Sequence, residues 1–367
     1  MKYVFKKNIY SIIIPILDTL GYVIFFPFKL FKKQTPLDPK KILVVRLDHI
    51  GDFVCTTPIF KNIKKRFPEA KITVLVNAVS KELAYRDPNI DKVITYSTFY
   101  LARGDGSSSL KGLSRVIKDI RNIGFDLGIE PRGDLLSILI MWLGRVKYRA
   151  GYGITGGGFL LNREAKYDKN IHVIDRNLAL LKILNIPSED TTPSVYFNDK
   201  DVKAVEDIIK DKKGIVLHPF AGAKAKEWSS DNFQKVIDKL TADGKAVLLA
   251  GSSGDKGNFR NVIDMRGRLN LPQLAYLIKS AGFFIGLDSG PANIAAALNV
   301  PSVIICSGTN LPSLWIPNSR NVKFVYKDVE CRPCELKVCR KEKHECMDTI
   351  KPEEVIKSIK EIDEGIF

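Results

Sequence analysis

The chain has 367 residues, 45% of them hydrophobic, with 57 Lys and Arg against 41 Asp and Glu and a net charge of +16. That size and apolar content exclude a disordered chain and favour two domains, each with its own core. The basic excess points to an anionic partner, either a membrane surface or a phosphorylated substrate, and no RNA- or DNA-binding module is present to support nucleic acid.

Residues 1–34 differ in character from the rest of the chain. An apolar run from Ile9 is interrupted by Pro15, Asp18 and Pro27 and is bounded by Lys6, Lys7, Lys29, Lys32 and Lys33. A spanning helix needs roughly 20 continuous apolar residues, and lysines at both ends suit anionic headgroups. The expectation is a helix or helical hairpin lying in the membrane interface. A spanning anchor and a helix packed on the body are the alternatives. No small-residue cleavage site comes after the apolar run, so a removed signal peptide is not expected.

After the linker at 34–39, strands and helices alternate, the pattern of parallel sheets covered on both faces. In the first half, strands are expected at 42–47, 71–76, 92–96, 125–130 and 148–151. Helices are expected from Thr57-Pro58 onward and at 110–123, 134–143 and 178–184. The glycine-rich stretch 151–158 reads as a mobile loop. Residues 187–193 read as an interdomain linker. In the second half, strands are expected at 214–218, 246–250, 283–287 and 302–307, with helices at 230–240, 271–280, 292–298 and 352–362. The resulting layout is 1–34, a first domain 41–187, a second domain 194–345 and a closing helix 346–367. Asp199-Lys200-Asp201 reads as helix capping and solvated surface.

Two strand ends carry the chemistry. The first strand runs into Asp48-His49-Ile50-Gly51-Asp52, and a later one into Gly286-Leu287-Asp288-Ser289-Gly290-Pro291. Ligands of open α/β sheets bind at the carboxyl ends of strands, so two such ends suggest a cleft between two domains. Gly51 allows a sharp turn. Either Asp52 or Asp48 can serve as a general base, and either can be a helix cap. The run His218-Pro219-Phe220-Ala221-Gly222-Ala223-Lys224-Ala225-Lys226 offers backbone N–H groups and ammonium charges to a phosphate. Asp288-Ser289-Gly290 opens a helix whose N-terminus favours a diphosphate, or Asp288 holds a sugar hydroxyl, or these residues are caps. Arg132 and Lys111 are weaker candidates for an anionic ligand. Cys331, Cys334, Cys339 and Cys346 cluster beside His344 with metal-like spacing. A structural zinc, disulfides and free thiols all remain open for them.

The combination resembles glycosyltransferase family 9, the bacterial heptosyltransferases of lipopolysaccharide core assembly, over about residues 41–360. The residues that carry the resemblance are Gly51-Asp52 with Thr57-Pro58, His218-Pro219 with Lys226 and Trp228, and Gly286-Leu287-Asp288-Ser289-Gly290-Pro291. A cysteine-rich tail ahead of the Thr349-Ile350 helix adds to it. The resemblance implies a GT-B architecture of two Rossmann-like domains facing a central cleft, with an inverting, metal-independent transfer. The donor is a nucleotide sugar, typically ADP-heptose, and the acceptor an anionic lipid-linked saccharide at the cytoplasmic face of the inner membrane. By the same resemblance Asp52 is the general base, and Lys226 neutralises the donor phosphates. Ala221 and Gly222 contact the diphosphate, while Asp288, Ser289 and Gly290 hold sugar and phosphate. Asp255 falls near a ribose-binding acid and Leu269 near an adenine-pocket residue. Asn293 stands where many members have His, which leaves the donor sugar open. Another nucleotide sugar for a different envelope glycan, or an inactive nucleotide-sugar binder, are the rival functions. The acceptor is expected to meet the loops at 98–112 and 151–160.

Overall fold

The computed structural model describes residues 8–30, 36, 38–97, 109–209, 214–317 and 321–363. The chain divides into two compact units, Met1–Thr192 and Pro193–Phe367.

The first unit opens with a helix, α1 (Asn8–Leu30). Then come β1 (Lys41–Arg46), the one-turn α2 (Ile50–Val54), α3 (Thr57–Arg66), β2 (Lys71–Val76), α4 (Lys81–Arg86) and β3 (Lys92–Thr95). They are followed by α5 (Leu110–Ile123), β4 (Leu127–Glu130), α6 (Leu135–Leu143), β5 (Tyr148–Gly151), β6 (Arg163–Glu164) and α7 (Val173–Ile183). The six strands form one parallel sheet in the order β3-β2-β1-β4-β5-β6. After Lys41 every residue of β1 is buried, as expected for a strand covered on both faces. Leu43, Val45, Leu75, Phe125, Ile138 and Met141 pack in one core beneath it. Ser109 caps α5 by accepting from the Gly112 N–H, and Gly124 ends that helix with φ +70°.

The second unit holds α8 (Asp199–Ile209), β7 (Gly214–His218), α9 (Ser230–Ala242), β8 (Ala246–Leu249), β9 (Ile263–Asp264) and α10 (Leu271–Ala281). It continues with β10 (Phe284–Leu287), α11 (Gly290–Ala297), β11 (Ser302–Ile305), α12 (Pro312–Trp315), β12 (Val322–Val325), α13 (Glu345–Asp348) and α14 (Pro352–Asp363). Its sheet, again parallel, runs β12-β11-β10-β7-β8-β9. Taken from the other edge, this is the strand order of the first sheet. The closing helix α14 belongs to this unit, since Val355, Ile359 and Ile362 join Leu217, Leu249, Ile285 and Val303 in its core.

In both sheets the strand order reverses beside the first strand of the unit, between β1 and β4 and between β7 and β10. Such reversals open a crevice at the carboxyl ends, and the charged candidates lie there. Two expectations change. Asp201 is buried, and its carboxylate accepts the Asn198 N–H at 3.0 Å, so it is a cap but not solvated surface. The glycine-rich 151–158 stretch is packed against α1 through the Asp18–Gly157 hydrogen bond. Among the described residues no helix is long and apolar enough to cross a membrane. Residues 1–7 and 31–34 of the expected membrane segment, and 98–108 of the expected acceptor loop, lie outside the described residues.

Candidate active site

In the first unit a buried arginine organises the site. Arg46, the last residue of β1, has a side chain only 3% exposed. A buried guanidinium must be paired, and the pairs come from the next turn. Its Nε lies 3.0 Å from Asp48 Oδ1, and its Nη2 donates to Asp52 Oδ1 at 3.2 Å. Burial works against the guanidinium charge, but Asp48, Asp52 and Glu130 together raise its pKa above the ordinary value. The second carboxylate oxygen of Asp52 accepts the His49 N–H at 3.3 Å, so α2 and Arg46 fix the carboxyl from both sides.

The two aspartates have different environments. The Asp48 side chain is 6% exposed and that of Asp52 16%. Burial pushes Asp48 up to about 7, against the pull of Arg46 and helped by the neighbouring charge of Asp52. The Arg132 Nε stands 3.9 Å from its other oxygen. Arg132 leaves the end of β4, and the turn that carries it is held by Glu130. That carboxyl, fully buried, accepts the N–H groups of Gly133 (2.5 Å) and Asp134 (3.3 Å). Burial, with Asp134 nearby, pushes it up to about 8. Asp52 is therefore the more accessible of the two carboxyls, and Asp48 the more buried. Gly51 sits in the first turn of α2.

A cavity of about 300 Å³ lies at the ends of β2 and β3, lined by Tyr96, Ser97, Lys111 and Arg115 among others. Tyr96 and Ser97 are buried, and Ser109 and Gly112 at the N-terminus of α5 also line the cavity.

In the second unit the centre is Asp288, at the end of β10 and 4% exposed. The Lys226 ammonium donates to its Oδ2 at 2.7 Å and to its backbone carbonyl at 3.2 Å. Asn310 Nδ2 donates to the same Oδ2 at 2.9 Å. Ser289 is the N-cap residue of α11, and its hydroxyl donates to the Leu287 carbonyl at 3.0 Å. The Asn293 amide donates back to the Ser289 carbonyl at 3.1 Å, so it braces the first turn of α11. Gly290 and Ala292 open that turn, where N–H groups have no intrahelical acceptor. His218, at the end of β7, is driven down to about 4 by burial, with Asp255 pulling the other way, and is a neutral imidazole at physiological pH. Asp255 accepts the Ser252 N–H at 2.7 Å, and its carbonyl accepts from Arg266. Ala221 and Leu269 are half-buried and Gly222 is exposed.

The cysteine-rich segment supports the Lys226 turn. The Ala225 N–H donates to the Lys337 carbonyl at 3.0 Å, and His344 Nε2 lies 3.1 Å from the Ala225 carbonyl. Trp228 donates from Nε1 to the Ile350 carbonyl at 3.2 Å. Cys346 is buried in the core, and Cys331, Cys334 and Cys339 are free thiols with it. Of the three readings left open for these cysteines, the structure has free thiols, and among the described residues no group of three or more His, Cys, Asp or Glu side chains is placed to hold a metal ion.

The structure thus gathers Asp48, Asp52 and Arg132 around Arg46 in one unit, and Lys226, Asp288, Ser289, Gly290 and Asn293 in the other. Arg46, Glu130 and Asn310 were missed from the sequence. An arginine closing a fully apolar strand was a readable signal for the first of them, whereas Asn310, alone in a loop, gave none.

Residues 113–345 match glycosyltransferase family 9 (heptosyltransferase). Lipopolysaccharide heptosyltransferase 3 of Escherichia coli strain K12 is 29% identical over 329 residues, covering 83% of this chain and 93% of that one. The lipopolysaccharide core heptosyltransferase OpsX of Haemophilus influenzae is 24% identical over 79% of this chain and 86% of its own. Among solved structures, a family 9 glycosyl transferase from Veillonella parvula superposes with a TM-score of 0.77 at 20% identity, over 90% of this chain and 99% of that one. The ADP-heptose heptosyltransferase II of Escherichia coli gives 0.71 at 19% identity, over 88% and 98%.

Proposed function

We propose, from the premise that the chain belongs to glycosyltransferase family 9, that this glycosyltransferase moves a heptose from ADP-heptose to a lipid-linked saccharide of the lipopolysaccharide core. The observation that carries the donor side is the Lys226–Asp288–Asn310 group beside the first turn of α11. An ammonium has three N–H donors, and Asp288 accepts two of those of Lys226. The third is left for a phosphate oxygen. The open N–H groups of Gly290 and Ala292 add a helix N-terminus to the same diphosphate. Ala221 and Gly222 supply further backbone contacts, while Asp255 and Leu269 face the nucleoside. Relatives support the choice of donor: solved structures of family members are described with ADP and with ADP-2-deoxy-2-fluoro heptose.

On the acceptor side, Asp52 takes the proton of the attacking hydroxyl, held in place by Arg46 and the His49 N–H. The oxygen attacks the anomeric carbon from the face opposite the diphosphate, so that the configuration inverts. The negative charge growing on the leaving ADP is met by Lys226 and the α11 dipole, fixed groups that make a metal unnecessary. Lys111 and Arg115, beside the Tyr96 and Ser97 hydroxyls, suit an anionic group of the acceptor. The acceptor is presented at the cytoplasmic face of the inner membrane.

Calorimetry with ADP-, GDP-, UDP- and dTDP-linked sugars tests the donor. Selective binding of ADP-heptose that survives EDTA is expected. Preference for another nucleotide would overturn the heptose reading, and binding of none would favour an inactive relative.

A further inference from the structure

We propose that α1 is a lipid-docking platform with two committed faces, one clamped to the first unit and the other entering the surface of an anionic bilayer. The inference rests on the reading above in one respect, that the acceptor is held in a membrane. The inward face is built for close contact. Asp18 is 2% exposed, and its Oδ1 accepts the Gly157 N–H at 2.7 Å. The Tyr22 hydroxyl donates to Glu164 at 2.5 Å, and Phe25 packs against Phe159 with ring centroids 5.3 Å apart. Space is taken up on both sides: a Cβ at Gly21 would lie 2.5 Å from the Phe159 ring, and one at Gly158 would strike the Tyr22 hydroxyl. The glycines of the 151–158 stretch thus form a seat that α1 fits.

The outward face is different in kind. Ile13, Ile16, Leu17, Leu20, Val23 and Ile24 are all exposed, and their spacing of three and four residues puts them on one side of the helix. No charge interrupts them, because Asp18, the one acid in residues 1–37, is turned inward. The apolar surface continues on α6, where exposed Trp142 lies edge-on to Phe25 at 6.1 Å and Leu143 comes next. Six lysines, at 2, 6, 7, 29, 32 and 33, flank the stripe in sequence. An apolar stripe with basic ends matches the hydrocarbon edge and anionic headgroups of a bilayer, and a tryptophan at its border suits the interface. The Asp18 and Tyr22 contacts hold α1 against the first unit, so that its apolar stripe faces outward. The same clamp ties the lipid surface to the 151–164 loop, which Thr155 links to the Gly133 turn beside Arg132.

The test uses the full chain with vesicles of phosphatidylglycerol and phosphatidylethanolamine, against vesicles of phosphatidylcholine alone. Wild type is expected to sediment with the anionic vesicles, and its tryptophan emission to shift to shorter wavelength. The shift is expected to vanish in Trp142→Phe. The triple variant Ile16→Ser, Leu20→Ser, Val23→Ser is expected to partition at least tenfold less, with ADP binding and melting temperature unchanged. If that variant is unstable, the wild-type emission shift and its loss in Trp142→Phe decide the matter alone. Equal sedimentation of wild type and the triple variant would overturn the proposal. So would an unshifted wild-type emission, or a lipid-free dimer that the triple variant abolishes. Vesicle binding without ADP binding would sink the donor reading and leave this one standing; the reverse result would do the opposite.

Discussion

Asp48→Asn isolates the effect of burying an acid behind the proposed base. Asp48 sits at about 7 instead of 3.8. In the unfolded chain it ionises near pH 4, whereas in the fold it holds its proton until about pH 7. Its contribution to stability is therefore full below pH 4 and is lost as pH rises through 7. A displacement of this size corresponds to a ceiling of about 4 kcal/mol, and relaxation of the site lowers the expected figure to roughly 2–4 kcal/mol. Asparagine copies the neutral carboxyl in size and never ionises, so the variant avoids the loss. It should match wild type at pH 4 and exceed it by about 2–4 kcal/mol at pH 8.5. For a unit of this size each kcal/mol is worth about 2–4 °C in melting temperature. The assay is urea and thermal unfolding of both proteins across pH 4–9, followed by circular dichroism and by Trp142, the one tryptophan of the first unit. A stability difference that does not vary with pH, or a wild type more stable than the variant at pH 8.5, would refute the reasoning.

Other outcomes are set by the same geometry. Asp52→Asn should bind donor as wild type does while transfer falls by about 10²–10⁴, read by calorimetry beside a turnover assay. Lys226→Met removes the cation shared by Asp288 and the diphosphate, so donor affinity and transfer should both fall, the latter by about 10²–10³. Glu130→Gln keeps one oxygen to accept the Gly133 N–H but turns an NH2 toward the Asp134 N–H, so it should melt below wild type at pH 7 yet above Glu130→Ala, which should lose about 2–4 kcal/mol.

Most of the fold could be read in advance because parallel strands covered on both faces leave unbroken apolar runs. The strands at 71–76, 148–151 and 214–218 and the helix at 110–123 fall where the sequence put them. The errors have local causes. α7 begins at Val173, not 178, because His172 caps it by accepting the Ile174 N–H, a role for which histidine gives little warning. β12 is an edge strand, half-buried over three of its four residues, and its run is too short and mixed to stand out. The glycines at 151–158 suggested mobility because glycine usually marks loose loops, and only the structure shows a helix pressed against them.

Asp52 and Asp48 were visible as carboxyls at a strand end, yet accessibility separates them, and accessibility depends on how Arg46 folds back. Lys226 and Asp288 stood 62 residues apart and were linked only by the family resemblance, and the sheet order brought them to 2.7 Å. The cysteine spacing left zinc, disulfides and free thiols open. What it did not encode is that the segment supports the Lys226 turn through backbone and histidine contacts.

The central claim is best tested by the transfer reaction itself: the full chain, ADP-heptose and a lipid-linked core saccharide lacking the terminal heptose, with EDTA present. The account predicts an acceptor heavier by one heptose, joined with anomeric configuration inverted relative to the donor. Unmodified acceptor, or a product of retained configuration, would contradict it.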